Sequence, residues 1–196
     1  MDAPCITIAL IAFGDDEEAM KAILQRIEDS RPTGTVARWF YEETSLLQEY
    51  ETKAKAYPIN HRYCVDNSLL KNDADVVAVL EKAFITLPTK TSLVLWNTMI
   101  PHSRRELPDM ALSLQSDHYF AIYGVCSSES EYSHCESWVR GVMAEVEKHE
   151  VGAYLGEFDT QARRSKIWGE KECKKITDIR QKWDLDGLFG HILGMK

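Results

Sequence analysis

Residues 117–126 read DHYFAIYGVC, a run rich in aromatic and β-branched side chains that predicts a strand. Ser128 or Ser130 then caps a helix. Its apolar side chains recur at helical spacing, at Cys135, Trp138, Val139, Val142, Met143 and Val146. A strand followed by a helix with a single apolar stripe predicts that this helix covers one face of a sheet.

Working outward, the same patterns predict further elements on both sides. Strands are expected over residues 6–13 (ITIALIAF, read as covered on both faces), 61–66 and 91–99 (TSLVLWNTM), with a short strand near 36–41. A helix begins after Asp15-Asp16 with Met20, Ile23, Leu24 and Ile27 as its stripe, and another, capped by Asn72 or Asp73, presents Val76, Val77, Leu80, Ala83 and Phe84. Helical pieces are also predicted near 44–55 and from about 168 to 183.

These elements predict an α+β fold, in which a mostly antiparallel sheet of about four strands carries helices on one face. A C-terminal helical tail follows the sheet. We expect residues 1–150 to form the sheet layer and residues 151–196 to form a tail that packs on it. Each helix has one apolar stripe, so the second face of the sheet has no helix to cover it.

Composition limits the classes of function. A net charge of −8 argues against a nucleic-acid partner, because phosphate binding requires a basic surface. Five scattered cysteines without a C-x-x-C pair predict reduced thiols in a reducing compartment. The apolar run 6–13 is too short to span a membrane and lacks the basic start of a signal peptide. We therefore expect a cytoplasmic protein with no membrane or nucleic-acid partner.

Period-two alternation assigns side chains to the helix-free face. Phe120 and Ile122 suit the helix side, which leaves Asp117, Tyr119, Ala121 and Tyr123 on the other side. In the strand 91–99, Leu93 and Leu95 suit the helices, which leaves Val94, Trp96 and Thr98 opposite, together with Thr7, Ala9, Ile11 and Phe13 of the first strand. This polar and aromatic face is interpreted as a small-molecule site, with a dimer interface or plain surface as the alternatives. A one-residue error in parity would instead expose His118 and Asn97.

Site chemistry elsewhere is sparse. His102 and Arg104 lie on a predicted loop, where they could bind a substrate carboxylate or simply face solvent. His118 and Asp117 are adjacent in a strand and face opposite sides, so they cannot form a dyad. No histidine and cysteine spacing supports a metal site, and there is no Gly-x-Ser-x-Gly motif.

The last third of the chain carries a more specific signature. Residues 152–159 read GAYLGEFD, Trp168-Gly169 follows, and residues 179–189 read IRQKWDLDGLF. This series resembles the C-terminal end of the berberine-bridge-like FAD-linked oxidoreductases, in which Tyr-x-Asn/Gly-x-x-Asp is followed by Trp-Gly and Lys-Tyr-Asp-Pro-x-Gly-x-Phe. Residues 6–19 and 119–125 also resemble the family, and Tyr123 matches a tyrosine placed over the flavin.

The resemblance implies a substrate domain whose helix-free sheet face covers the substrate above FAD. The sequence also departs from the family. Pro101-His102-Ser103-Arg104 stands where Gly-Gly is common, Ser127 stands near a common Trp, and Leu185 replaces a Pro. The flavin domain, its Gly-rich loop and its attachment His and Cys have no counterpart, so we expect no cofactor unless a partner chain supplies FAD.

From these features we expect a small-molecule enzyme, a cofactor-independent cyclase or isomerase of secondary metabolism that performs a pericyclic or Michael-type ring closure. Tyr123 and Tyr119 would donate hydrogen bonds and Asp117 would act as base. Trp96, Thr98, Phe13, His102 and Arg104 would contact the substrate. The alternatives are the substrate half of a split or truncated FAD-linked oxidoreductase, which the retained tail favours, and a non-catalytic ligand-binding or dimerisation remnant. A start at Met1 just before a predicted strand favours an independent protein, which we expect to be a homodimer.

Overall fold

The computed structural model describes residues 5–188, and the chain divides into two compact units, Met1–Pro58 and Ile59–Lys196. The five helices found in the described residues are α1 (Glu17–Glu28), α2 (Leu46–Ala54), α3 (Val76–Ile85), α4 (Glu129–Val146) and α5 (Glu170–Trp183). The strands are β1 (Arg62–Leu70), β2 (Leu93–Thr98), β3 (His118–Cys126) and β4 (Glu150–Gly152). The predicted α+β class is confirmed. The predicted ending Gly187-Leu188-Phe189 lies partly outside the described residues.

The first unit holds α1 and α2, and a side chain caps the start of each helix. The Asp16 carboxylate accepts a hydrogen bond from the Ala19 N–H at 3.1 Å, and Ser45 Oγ accepts one from the Gln48 N–H at 3.2 Å. These bonds satisfy N–H groups that the first turn of a helix leaves unpaired.

The strands predicted over residues 6–13 and 36–41 are not formed, which corrects the sequence interpretation. Residues 5–14 contain no regular secondary structure, and Ile6 is 73% exposed. A strand needs a neighbour to satisfy its N–H and C=O groups, and the described part of the first unit contains no strand with which residues 6–13 could pair. An apolar β-branched run was therefore insufficient evidence for a strand.

The second unit contains the sheet, whose strand order is β2-β3-β1-β4, with each neighbouring pair antiparallel. The predicted strand 61–66 extends to Leu70, and β4, which the sequence did not reveal, pairs with the end of β1. Because β4 lies at residues 150–152, the tail is joined to the sheet through backbone pairing. The predicted division at residue 150 stays a prediction.

The core lies between the sheet and helices α3 and α4. It is a cluster of buried side chains from both layers: Cys64, Leu70, Leu80, Ala83, Phe120, Ile122, Val139, Val142, Met143 and Val146. Gly124 allows the close approach of α4, since a Cβ at this position would lie 3.0 Å from the Cys135 carbonyl oxygen and 3.1 Å from its Cβ. Within residues 5–188, no helix is both long and apolar enough to cross a bilayer.

A buried ion-pair network joins the tail to the central strand. Asp66 of β1 is fully buried, and its carboxylate accepts two hydrogen bonds from the Arg163 guanidinium at 3.0 and 3.1 Å. Arg163 also donates to Glu150 at 3.0 and 3.1 Å and to the Asn67 carbonyl oxygen at 2.6 Å. Burial raises the pKa of Asp66, and the hydrogen bonds from Arg163 oppose that rise. Arg163 thus compensates a carboxylate that water cannot reach.

A second anchor holds the loop between β2 and β3. The Asp117 carboxylate accepts hydrogen bonds from Ser103 Oγ at 2.5 Å and from Arg104 Nε at 3.1 Å, and Arg104 also reaches its second oxygen. These hydrogen bonds, with Arg104 first, lower the pKa of Asp117 to about 2. The buried carboxylate therefore fixes the 3₁₀ turn at His102–Arg104 against the end of β3.

Replacing Arg163 with methionine should lower the free energy of unfolding by about 3–5 kcal/mol, because it leaves Asp66 buried without its bidentate partner. Urea denaturation followed by circular dichroism would measure the change. The matched control, Arg164→Met, alters an exposed neighbour and should change stability little. Equal effects of the two substitutions would contradict the assigned role of Arg163.

The Asp117 pair predicts a pH-dependent stability. Because the folded-state pKa of about 2 lies below the ordinary value of about 3.9, the pair stabilises the protein above about pH 4 and loses its contribution towards pH 2. The melting temperature of Asp117→Asn should therefore be lower than that of the wild type near neutral pH, and the two should converge at about pH 2. A difference that stays constant across this range would contradict the assignment.

Candidate functional site

The face of the sheet away from α3 and α4 carries two tyrosines of β3. Phe120 and Ile122 belong to the helix-side core, so the alternating residues Tyr119, Ala121 and Tyr123 point the other way. This part of the predicted parity is confirmed. The residues opposite them on the neighbouring strands share this face: Leu93, Leu95 and Asn97 of β2, and Val65, Asn67 and Leu69 of β1.

The predicted parity of β2 is wrong by one residue. Trp96 pairs with Phe120 and Thr98 pairs with His118, so both lie on the helix side. Val94 accordingly packs against the core, and the Trp96 ring stacks near the His118 ring with centroids 5.9 Å apart. All four residues of the stretch LVLW are apolar, so apolarity could not show which of them face the helices. The pairing of β2 with β3 does assign each side chain to a face.

The tail covers part of the sheet face that carries Tyr119 and Tyr123, which we call the tyrosine face. The Asn67 amide forms two hydrogen bonds with the backbone of Tyr154: its Nδ2 donates to the Tyr154 carbonyl oxygen at 2.8 Å, and its Oδ1 accepts from the Tyr154 N–H at 2.7 Å. The 3₁₀ turn Leu155–Glu157 follows directly. The buried Asn67 side chain thus extends the hydrogen bonding of the sheet to Tyr154. This pairing places the turn Leu155–Glu157 on the tyrosine face.

Glu157 lies where this turn meets the two tyrosines. The Tyr119 hydroxyl donates a hydrogen bond to one carboxylate oxygen of Glu157, and the Tyr123 hydroxyl donates to the other. The Tyr154 ring meets the Tyr119 ring edge-on, with centroids 6.4 Å apart. We call Tyr119, Tyr123, Tyr154 and Glu157 the tyrosine–glutamate cluster.

Gly156 leaves room for the end of the Tyr154 side chain. A Cβ at this position would lie 2.6–2.9 Å from Cε1, Cζ and the hydroxyl oxygen of Tyr154. Any larger residue would therefore require the end of the Tyr154 side chain to move. The family resemblance allows Asn or Gly at this position, and the close contact favours glycine in this chain.

The cluster combines hydrogen-bond donors with an acceptor. A carboxylate offers about four lone-pair sites, of which the two phenols use two. Glu157 can therefore accept a further hydrogen bond or a proton, and the phenols can donate to oxygen when a ligand displaces the carboxylate. Tyr123 is 5% exposed, so these interactions form in a partly dehydrated environment, where hydrogen bonds are strengthened.

Asp117 and His102, two of the other predicted site residues, have partners outside the cluster. Asp117 is committed to Arg104 and Ser103, and a pKa of about 2 gives it little affinity for a proton at neutral pH. His102 contacts Arg105, with 3.0 Å between its Nε2 and an Arg105 terminal nitrogen. Phe13 belongs to the first unit, in a segment without secondary structure, where it is 63% exposed. The roles predicted for these residues stay predictions.

Glu157 is the residue that the sequence interpretation missed. It lies in the segment GAYLGEFD, which the family resemblance singled out without assigning this residue a role. The contacts that define it span 38 residues to Tyr119 and 34 to Tyr123. The signal available in the sequence was a glutamate within a short segment of glycine and aromatic residues.

Comparison with curated proteins gives consistent matches, although no family model matches the chain. The chain is 28% identical over 179 residues to the FAD-linked oxidoreductase penO of Penicillium crustosum, covering 91% of this chain and 40% of the relative. It is 29% identical over 184 residues to nodO of Hypoxylon pulicicidum, and 27% identical over 184 residues to ptmO of Penicillium ochrochloron, both also named FAD-linked oxidoreductases. In these two cases 94% of this chain and 41% of the relative are covered.

The matches cover nearly all of this chain and less than half of each relative. They agree with the resemblance inferred from the tail motifs and from the strand that carries Tyr119 and Tyr123. The chain is thus similar in sequence to proteins named FAD-linked oxidoreductases, and it spans about two fifths of the curated proteins it matches.

Proposed function

We propose that this chain supplies the substrate-facing sheet of an FAD-linked oxidoreductase and that the tyrosine–glutamate cluster is the part of it that contacts the substrate. The observation that carries the proposal is the convergence of two phenols and one carboxylate on the sheet face away from α3 and α4. The names of the curated relatives support the class of reaction, and this convergence supports the position of the substrate.

The described residues do not fit a complete FAD site. A flavin dinucleotide needs open backbone N–H groups for its pyrophosphate, commonly from a glycine-rich turn. The sequence contains no Gly-x-Gly-x-x-Gly. The space beside Gly152, whose φ is +157°, is occupied by the protein itself, since a Cβ there would lie 2.3 Å from the Lys166 carbonyl oxygen. A pyrophosphate therefore has no room beside this glycine. Under this proposal, residues other than 5–188 hold the flavin.

The cluster's contribution is proton handling and orientation. Glu157 can accept a proton from a substrate O–H or N–H group, and Tyr119 and Tyr123 can return hydrogen bonds to the oxygen or nitrogen that results. Such positioned groups accelerate proton transfer by roughly 100- to 10,000-fold when their geometry is correct. Glu157 thereby replaces Asp117 as the proposed base.

A cofactor-independent cyclase or isomerase is the second candidate. It is favoured by the fact that the cluster is complete within one compact unit, residues 59–188. Ring closure requires a substrate held in a reactive shape and a donor for a developing oxyanion, and the two phenols meet the second requirement. The two candidates differ in whether turnover requires flavin.

The purified chain should be colourless under the oxidoreductase proposal, because its described residues offer no pyrophosphate cradle. The visible absorption spectrum and the flavin released on denaturation would measure this. A spectrum with flavin maxima at near one-to-one stoichiometry would overturn the assignment of the flavin to other residues.

The activity test uses a chimera in which this chain replaces the matching segment of the Penicillium crustosum relative. A chimera that retains flavin should lose its visible absorption when that relative's own substrate is added anaerobically. Tyr123→Phe removes one donor and keeps the shape, so it should slow this step by roughly 10- to 1000-fold. Glu157→Gln should slow it as well.

The matched control is Tyr132→Phe, the same chemical change on α4 at the helix side of the sheet. It should leave the rate of flavin reduction nearly unchanged. A flavin-loaded chimera whose rate is unaffected by both Tyr123→Phe and Glu157→Gln would exclude the cluster as the substrate site. Turnover of a substrate by the colourless chain alone would favour the cyclase.

A further inference from the structure

We infer that the tyrosine–glutamate cluster selects ligands that carry a protonated amine. This inference rests on the proposed function, because it takes the cluster to be the substrate-facing site. It goes further by naming the chemical class that the site recognises.

The first argument is the unmatched charge of Glu157. Its carboxylate is half-buried, and within residues 59–188 no lysine, arginine or histidine forms an ion pair with it. Two arginines of this unit pair with other carboxylates: Arg163 binds Asp66 and Glu150, and an Arg140 terminal nitrogen lies 2.5 Å from Asp159. Two neutral phenols partly compensate Glu157, and its remaining lone pairs can accept N–H donors.

The second argument is the aromatic neighbourhood of Glu157. The hydroxyls of Tyr119 and Tyr123 contact the carboxylate, and the Tyr154 ring meets the Tyr119 ring edge-on with centroids 6.4 Å apart. Aromatic rings attract ammonium groups that lie over their faces, most strongly where water is excluded. A carboxylate flanked by tyrosines therefore favours a cation on both counts and disfavours an anion.

The charges also determine which ligands are rejected. A carboxylate or phosphate placed beside Glu157 would meet a like charge that no cation of residues 59–188 balances by an ion pair. A neutral alcohol with the same shape as the amine could donate a hydrogen bond to Glu157. It would gain neither the ionic attraction nor the full interaction with the rings. Selection should follow the order amine, alcohol, acid.

The test measures binding of three matched probes to the purified chain by ligand-observed NMR at neutral pH: phenethylamine, phenethyl alcohol and phenylacetate. The amine should bind at least about tenfold more tightly than the alcohol, the usual scale for a hydrogen bond to a charged group. Phenylacetate should bind most weakly. The preference should disappear above about pH 10, where an alkyl amine loses its proton.

Glu157→Gln removes the charge and keeps the size, so it should bring amine and alcohol to within about twofold of each other, on the same scale. The matched control is Glu147→Gln, at an exposed residue that follows α4, which should keep the preference. Tyr154→Leu provides a second variant, which removes one ring without touching the carboxylate and should weaken amine binding. Circular dichroism of each variant establishes that it is folded.

Equal binding of the three probes to the wild type, or no binding at all, would overturn the inference. An unchanged amine preference in folded Glu157→Gln would do the same. The outcome is separate from the flavin-reduction assay, since probe binding is measured on the chain alone. Amine selection without flavin reduction in the chimera would reject the proposed function and leave the binding specificity standing.

Discussion

The buried carboxylate of Asp66 is the constraint on which the second unit depends. A charge placed in the central strand of a sheet is costly unless a partner with matching geometry compensates it. That partner is Arg163, which comes from the tail 97 residues later in the sequence and binds Asp66 through two parallel hydrogen bonds. The same guanidinium reaches Glu150 of β4 and the Asn67 carbonyl oxygen. One arginine therefore fixes the tail to two strands.

The candidate site follows from this attachment. Asn67 is the residue after Asp66, and its side chain pairs with the Tyr154 backbone, which places the turn Leu155–Glu157 on the opposite face of the sheet. Successive side chains of β1 point to opposite faces of the sheet. Asp66 therefore binds Arg163 from the helix side, and Asn67 holds the Tyr154 backbone on the side of the tyrosines. Glu157 reaches Tyr119 and Tyr123 as a consequence of both contacts.

The sequence predicted the elements whose signal is local. The β3 parity followed from Phe120 and Ile122, and α4 followed from the spacing of Val139, Val142 and Val146, because each pattern has one apolar side. Where apolarity does not alternate, prediction failed. In β2 the residues LVLW are apolar on both faces, so only pairing with β3 assigns Trp96 to the helix side. Residues 6–13 carry the composition of a strand, yet composition cannot supply a pairing partner. Glu157 depends on contacts made across the whole unit, and no local pattern reports these.

The central claim is that the Arg163–Asp66 pair positions the segment that carries Glu157. Hydrogen exchange of individual amides in Arg163→Met, compared with the wild type, tests it most directly. The Tyr154 N–H, which is bonded to Asn67 Oδ1, should lose much of its protection, while the amides that pair β1 with β3 keep theirs. Unchanged protection at Tyr154 in a variant that has lost stability would show that the tail is held to the face by other contacts, and would contradict the account.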